Sequence, residues 1–341
     1  MFDEAQIAYV KAGHDHEAVE VLKTLDEKAV AEHRYLDASY YFRLMGKNYI
    51  EMTSKEAGLK KKIEECLLKA DLYYVYNSVY KYVIEPFTEK TFDVLCNMAR
   101  YLLLSPKMPG ISQVNILYTL IKLSVRNENY KTAREALGQL RIYRIPARFQ
   151  NSIDMWSMEV KSKPYSDSDE FMPMCYSCGT SNPILAGHLC THCNAPFVYS
   201  FLTFEVLPVL EFEISSDLSI SEAKDLLKTE SPIDEGDQYV NGLLSEYRSR
   251  NKSGLLQLGR QDLINLASNL TFVAEFPDPI GCKFYLKVIP EIPISQCDEC
   301  KKLFHGDDYQ MAVLQSGTCP VCRCKVHLYE PEYDEDDTET S

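Results

Sequence analysis

No stretch of this chain approaches the roughly 18 consecutive apolar residues that a membrane-spanning helix needs. The N-terminus, MFDEAQIAYV, has no basic segment leading into an apolar one, so it does not read as a secretory leader. Positive charge is in short supply: 36 Lys and Arg face 50 Asp and Glu, a formal net charge of −14. An excess of that sign repels a phosphate backbone and argues against general nucleic-acid binding. Catalytic motifs are missing too. There is no phosphate-cradling glycine loop, no Gly-x-Ser-x-Gly elbow and no His-Glu-x-x-His pair, so no catalytic residue and no enzyme activity are expected.

What is present divides in two. Residues 1–164 carry 24 basic and 21 acidic residues, a net of +3, whereas 165–341 carry 12 and 29, a net of −17. Ten of the 12 cysteines also fall in the second part, leaving only Cys66 and Cys96 in the first. The Pro-, Ser- and charge-rich run 161–169 (KSKPYSDSD) reads as the junction.

The first part, 1–164, reads as an α-solenoid of helical hairpins. Apolar residues from Glu17 to Met45 recur at intervals of three and four, as do those from Leu59 to Val83, the period of an amphipathic helix. Further helices are expected near Thr91–Leu104, Ser112–Val125 and Tyr130–Arg141, separated by turns rich in Gly, Pro and Asn. A short polar turn before an Ala-bearing helix, as in 127–133 (NENYKTA), is tetratricopeptide-like, although no motif repeats at a fixed period of ~34 residues. The Tyr-rich run from Tyr73 to Tyr82 is expected to pack between hairpins, and Lys60, Lys61 and Lys62 to form a solvated face. His14, His16 and His33 read as surface or capping residues.

The second part carries the chemistry. Cys175 and Cys178 are followed after 11 residues by Cys190 and Cys193; Cys297 and Cys300 are followed after 18 by Cys319 and Cys322. A two-residue gap lets both thiolates of a pair reach one ion from a tight knuckle, and two pairs complete a tetrahedral zinc site. Gly179 supplies the positive φ that such a knuckle often requires. Disulfides would need an oxidising compartment, which nothing in the sequence addresses. Two structural zinc ions are therefore expected, with four thiolates each and no open position for catalysis. His188, His192 and His305 stand near enough to replace a cysteine, and Cys324, next to the last knuckle, competes with Cys322.

Between the tetrads, Phe201–Ile214 reads as a strand, Ser219 caps a short helix, and Thr271–Val288 forms a hairpin around Pro277-Asp278-Pro279. Residues 165–329 are thus expected to form a small α+β, zinc-ribbon-like domain. The tail 330–341, with seven acids and no base, reads as disordered.

Several segments carry a resemblance. The run 145–150 (IPARFQ), Pro173 to Cys178 with Ser181-Asn182-Pro183, Phe204 to Phe212, and Phe304-His305 through Tyr309 and Gln315 to Cys319-Pro320 resemble the C-terminal part of the intraflagellar transport protein 122 family. Members of that family carry WD40 propellers ahead of a long solenoid, so the chain is expected to be a fragment, a truncated gene product or a short isoform. The resemblance implies a non-enzymatic scaffold in intraflagellar transport complex A, acting in dynein-driven retrograde traffic, cilium assembly and ciliary import of membrane proteins. It implies the other complex A subunits and tubby-like cargo adaptors as partners, no nucleic acid and no direct membrane insertion. It places the chain in the cilium, the basal body and the cytoplasm. The competing reading is a RING-like zinc module of a solenoid ubiquitin ligase or vesicle-tethering subunit; the 103 residues between the tetrads would then be an insertion between interleaved ligands.

Overall fold

The structure, a computed structural model, describes residues 14–52, 58–85, 90–228, 236–249, 254–266, 270–278 and 280–326. The acidic tail, with the disorder expected of it, lies outside them, as does Pro279 of the expected hairpin turn.

The helical part begins with α1 (Asp15–Ala31), α2 (Tyr35–Glu51) and α3 (Leu59–Ile84), followed by α4 (Phe92–Leu104), α5 (Gln113–Arg126), α6 (Tyr130–Leu140) and α7 (Ala147–Lys161). Helices adjacent in sequence pack on one another. Ala18, Ala29, Ala38, Ala70, Ala99, Ala133 and Ala136 are wholly buried, and such small side chains set how closely two helices approach.

The apolar period from Glu17 to Met45 is not one helix. It breaks at His33, whose φ is +59°, with the His33 amide donating to the Val30 carbonyl and the Arg34 amide to Ala29. The same closure recurs after α5, where Glu128 has φ +58° and the amides of Glu128 and Asn129 donate to the carbonyls of Val125 and Ser124. Each is a Schellman-type helix end. Each is followed by a buried Tyr (Tyr35, Tyr130) and, three residues on, a buried Ala (Ala38, Ala133). Sequence reading found the second of these turns, in 127–133, but not the first, since apolar periodicity runs through it without interruption and no glycine or proline marks it. Helix α7 was also missed.

Tyr35, Tyr73, Tyr74, Tyr76 and Tyr82 are buried, with the Tyr35 ring edge-on to Tyr76 at 4.8 Å and to Tyr80 at 5.0 Å. Lys60, Lys61 and Lys62 are exposed.

Beyond the solenoid, a four-stranded sheet of order β2-β1-β4-β3 contains β1 (Val209–Ile214), β2 (Leu256–Leu258), β3 (Thr271–Phe276) and β4 (Gly281–Lys287). The β1–β2 pair is parallel; β1–β4 and β3–β4 are antiparallel. Helices α8 (Ile220–Lys228), α9 (Gly236–Ser249) and α10 (Arg260–Asn265) share its core through Ala223, Leu227, Val240, Leu244 and Leu263. The Ser219 hydroxyl accepts the Glu222 amide at 3.2 Å, as expected of an N-cap. The strand expected from Phe201 starts only at Val209, since residues 201–203 form a turn. A two-stranded pair, β5 (Ile294–Gln296) and β6 (Leu303–His305), then leads into α11 (Gly306–Ser316).

The buried core does not stop at the junction near residue 165. Cys297, Cys300, Phe304, Tyr309, Val313, Cys319 and Val321 belong to the same apolar cluster as the solenoid helices, whereas the sheet and the first cysteine tetrad have cores of their own.

Candidate metal centres

The four Cys-x-x-Cys segments share one backbone design. The residue after each second cysteine is left-handed: Gly179 at φ +76°, Asn194 at +57°, Lys301 at +56° and Arg323 at +60°. Its amide donates back to the carbonyl of the first cysteine, at 2.7 Å for Cys175, 3.0 Å for Cys190 and 2.9 Å for Cys297 and Cys319. The amide of that first cysteine donates in turn to the carbonyl one residue further on, at Thr180, Ala195, Lys302 and Cys324. The two bonds turn the chain so sharply that both sulfurs face the same point. The glycine signal identified one such position; the other three carry side chains in a conformation unfavourable to them, and only Asn194 is of a type that tolerates it readily.

In the first centre the Sγ atoms of Cys175, Cys178, Cys190 and Cys193 all lie within 4.8 Å of one another, with Cys175–Cys193 and Cys178–Cys190 each at 3.6 Å. Zinc–sulfur bonds of ~2.3 Å in a tetrahedron separate the sulfurs by about 3.8 Å, so the set fits zinc. Burial pushes the Cys190 thiol up, but the amides of Cys193 and His192 and the neighbouring thiols outweigh it and bring the thiol down to about 7. Burial raises Cys175 and Cys193. Sulfurs crowded this closely cannot all ionise unaided, and a divalent cation lifts that restriction.

In the second centre, five cysteines converge. Cys297 Sγ lies 3.7 Å from Cys322 and 3.6 Å from Cys324, Cys322 lies 3.2 Å from Cys324, and Cys300 lies 4.0 Å from Cys319. The tightest set is Cys297, Cys319, Cys322 and Cys324. Contacts with the other cysteines lower Cys297 and raise Cys300. With two cysteine clusters matching the donor chemistry of zinc ribbons, the cofactor is zinc, as two structural ions.

The histidines take other roles. The His188 ring lies between Ser105 Oγ at 3.3 Å and the Tyr199 hydroxyl at 3.2 Å, tying the first ribbon to α4. His192 is exposed, and only its amide reaches a ligand, Cys190 Sγ at 3.4 Å. His305 precedes α11 with its Nε2 3.4 Å from Glu205. Cys282 lies apart on β4.

Supporting contacts hold the knuckles. The Arg248 guanidinium on α9 donates to the carbonyls of Ser177 at 2.7 Å and Tyr176 at 3.1 Å. Lys302 Nζ lies 2.6 Å from Asp71 on α3, and Asp71 also pairs with Arg43 at 3.0 Å. Arg323 reaches the Leu36 carbonyl at 3.1 Å and lies over the Tyr40 ring at 4.8 Å. Sequence reading found none of these partners, since their spacing carries no motif. The Phe201 amide donates to the Leu303 carbonyl at 3.1 Å, joining the two ribbons.

Each sulfur cluster is built from two successive knuckles, the first within residues 175–193 and the second within 297–324. That is sequential pairing, not the interleaved pairing of a RING domain.

Comparison with known proteins agrees with this layout. Residues 1–115 match a family model described as "IFT122, TPR domain", 168–210 match "IFT122, zinc ribbon domain", and 292–327 match "IFT122, C-terminal zinc ribbon domain". The chain is 34% identical to the intraflagellar transport protein 122 homolog of Danio rerio over 94% of its length, 33% identical to that of Mus musculus over 95%, and 32% identical to that of Homo sapiens over 95%. It spans about 30% of the length of these curated relatives.

Proposed function

The chain belongs to the intraflagellar transport protein 122 family, and from that premise we propose that it is a non-enzymatic scaffold segment of intraflagellar transport complex A. In this reading it acts in retrograde ciliary transport, cilium assembly and the import of membrane proteins, in the cilium, at the basal body and in the cytoplasm. Its partners are the other subunits of the complex, with tubby-like adaptors linking it to cargo.

One observation carries the proposal: a tetratricopeptide-type solenoid is pinned to its own zinc ribbons, so the helical surface is held in one shape. A stacked-hairpin solenoid has an extended face for protein contacts, and closed four-thiolate zinc sites add rigidity and no chemistry. The eight ligands in this reading are Cys175, Cys178, Cys190 and Cys193, and Cys297, Cys300, Cys319 and Cys322. The units are a solenoid over 1–164, a zinc-bearing α+β region over 165–329 and an acidic tail over 330–341.

Affinity purification of the tagged chain from ciliated cells tests it. Co-purification of the other complex A subunits supports the reading, and their absence from a soluble, zinc-loaded chain overturns it.

A further inference from the structure

The second centre has one thiol more than zinc requires, and the five are not equivalent. Cys297 and Cys319 are fully buried. Cys300, Cys322 and Cys324 instead line a cavity of about 600 Å³ between α2, the β3–β4 hairpin and the last two knuckles, with Arg43, Lys47 and Arg323 on its wall.

The position of Cys324 in its knuckle explains how it reaches the centre. It follows the left-handed Arg323 as Thr180 follows Gly179. There the Thr180 hydroxyl lies 3.3 Å from Cys178 Sγ, the second cysteine of its own knuckle. Cys324 makes the equivalent approach to Cys322 at 3.2 Å, but it also stands 3.6 Å from Cys297 in the opposite knuckle. A side chain that only supported Cys322 would have no cause to reach across. That 3.6 Å gap and the 4.0 Å between Cys300 and Cys319 both lie close to the ~3.8 Å separating two thiolates on one tetrahedral zinc ion, so either thiol can serve as a ligand.

The geometry points to a ligand-exchange centre, in which Cys297, Cys319 and Cys322 hold the zinc and Cys324 and Cys300 alternate as the fourth ligand at the cavity. The exchange leaves the charge of the site unchanged: one thiolate enters as the other leaves, and the proton passes from the incoming thiol to the outgoing one. The inference rests on zinc occupying the second ribbon.

The test is the zinc content of the full chain after Cys300→Ser, Cys324→Ser and both together, with Cys178→Ser as control. The wild-type chain and each single variant at the second centre are expected to keep about two ions, and the double variant about one. A fall to about one in either single variant overturns the exchange, as does a double variant that keeps two. A wild-type chain with about one ion, lost on Cys178→Ser, overturns the zinc reading of the second ribbon as well. Should Cys300→Ser misfold, alkylation of the zinc-loaded wild-type chain and peptide mapping give the answer. Label shared between Cys300 and Cys324 supports the exchange, and label on Cys324 alone overturns it.

Discussion

Lys302 Nζ lies 2.6 Å from Asp71 Oδ2, an ion pair joining the third knuckle to helix α3 across 231 positions of sequence. Asp71 is buried and also holds Arg43 at 3.0 Å, so one carboxylate is shared by two cations at the seam between solenoid and ribbon. Asp71→Ala leaves both cations uncompensated and is expected to cost about 3–5 kcal/mol in urea unfolding. Lys302→Ala, which leaves the Arg43–Asp71 pair intact, should cost less. A double-mutant cycle should show coupling above about 0.5 kcal/mol; strict additivity would mean that the pair contributes nothing.

The two zinc centres should differ in how far their loss spreads. The first tetrad has its own small core, whereas the second shares that of the solenoid. Hydrogen exchange should therefore show Cys178→Ser loosening residues near 175–200 and their contacts on α4 and α9 while leaving α2 and α3 as protected as in the parent chain. Cys319→Ser should also loosen α2 and α3, through Arg323, Lys302 and the buried Tyr74. Equal protection of α2 and α3 in both variants would contradict the shared core.

The left-handed residues make the knuckles sensitive where no ligand is touched. Gly179→Val should cost about 1–2 kcal/mol and speed zinc release to a chelator, because a β-branched residue resists φ +76°. Lys301→Gly should relieve strain and slow release from the second centre. Unchanged release rates in both variants would show that the turn does not limit metal retention.

Asp26 on α1 provides a pH test away from the metals. Burial raises its carboxyl to about 7, against an opposing influence from Lys69, and its Oδ1 has no hydrogen-bond partner among the described residues. A raised carboxyl binds its proton more tightly in the folded chain, so its contribution is favourable at low pH and is lost as pH rises from 3.8 through 7. Asp26→Asn should therefore raise the urea midpoint relative to the parent chain at about pH 8 and change it little at about pH 4. The opposite order would refute the burial argument.

His188→Ala separates a ligand from a latch. Zinc content should stay at about two ions per chain. Loss of the contacts to Ser105 and Tyr199 should expose the seam between α4 and the first ribbon, seen as faster exchange of the Tyr101–Ser105 amides. A lost zinc would make His188 a ligand.

Features that depend on neighbours in sequence were legible in it. The cysteine pairs, the Ser219 cap, the hairpin from Thr271 to Val288 and the helical periods are short-range patterns whose geometry follows from spacing alone. The turn at 127–133 was legible from its Asn residues, but the one at His33 was not, because the apolar period runs through it and no glycine or proline marks it. Which sulfurs meet was settled only in part: the pairs were evident, but the approach of Cys324 to Cys297 depends on how two knuckles face each other. The docking of the last ribbon onto α2 and α3 was wholly a tertiary matter. Asp71, Arg43 and Lys302 are ordinary charged residues in sequence, and only the fold brings them together out of water, where leaving any one unpaired would be costly.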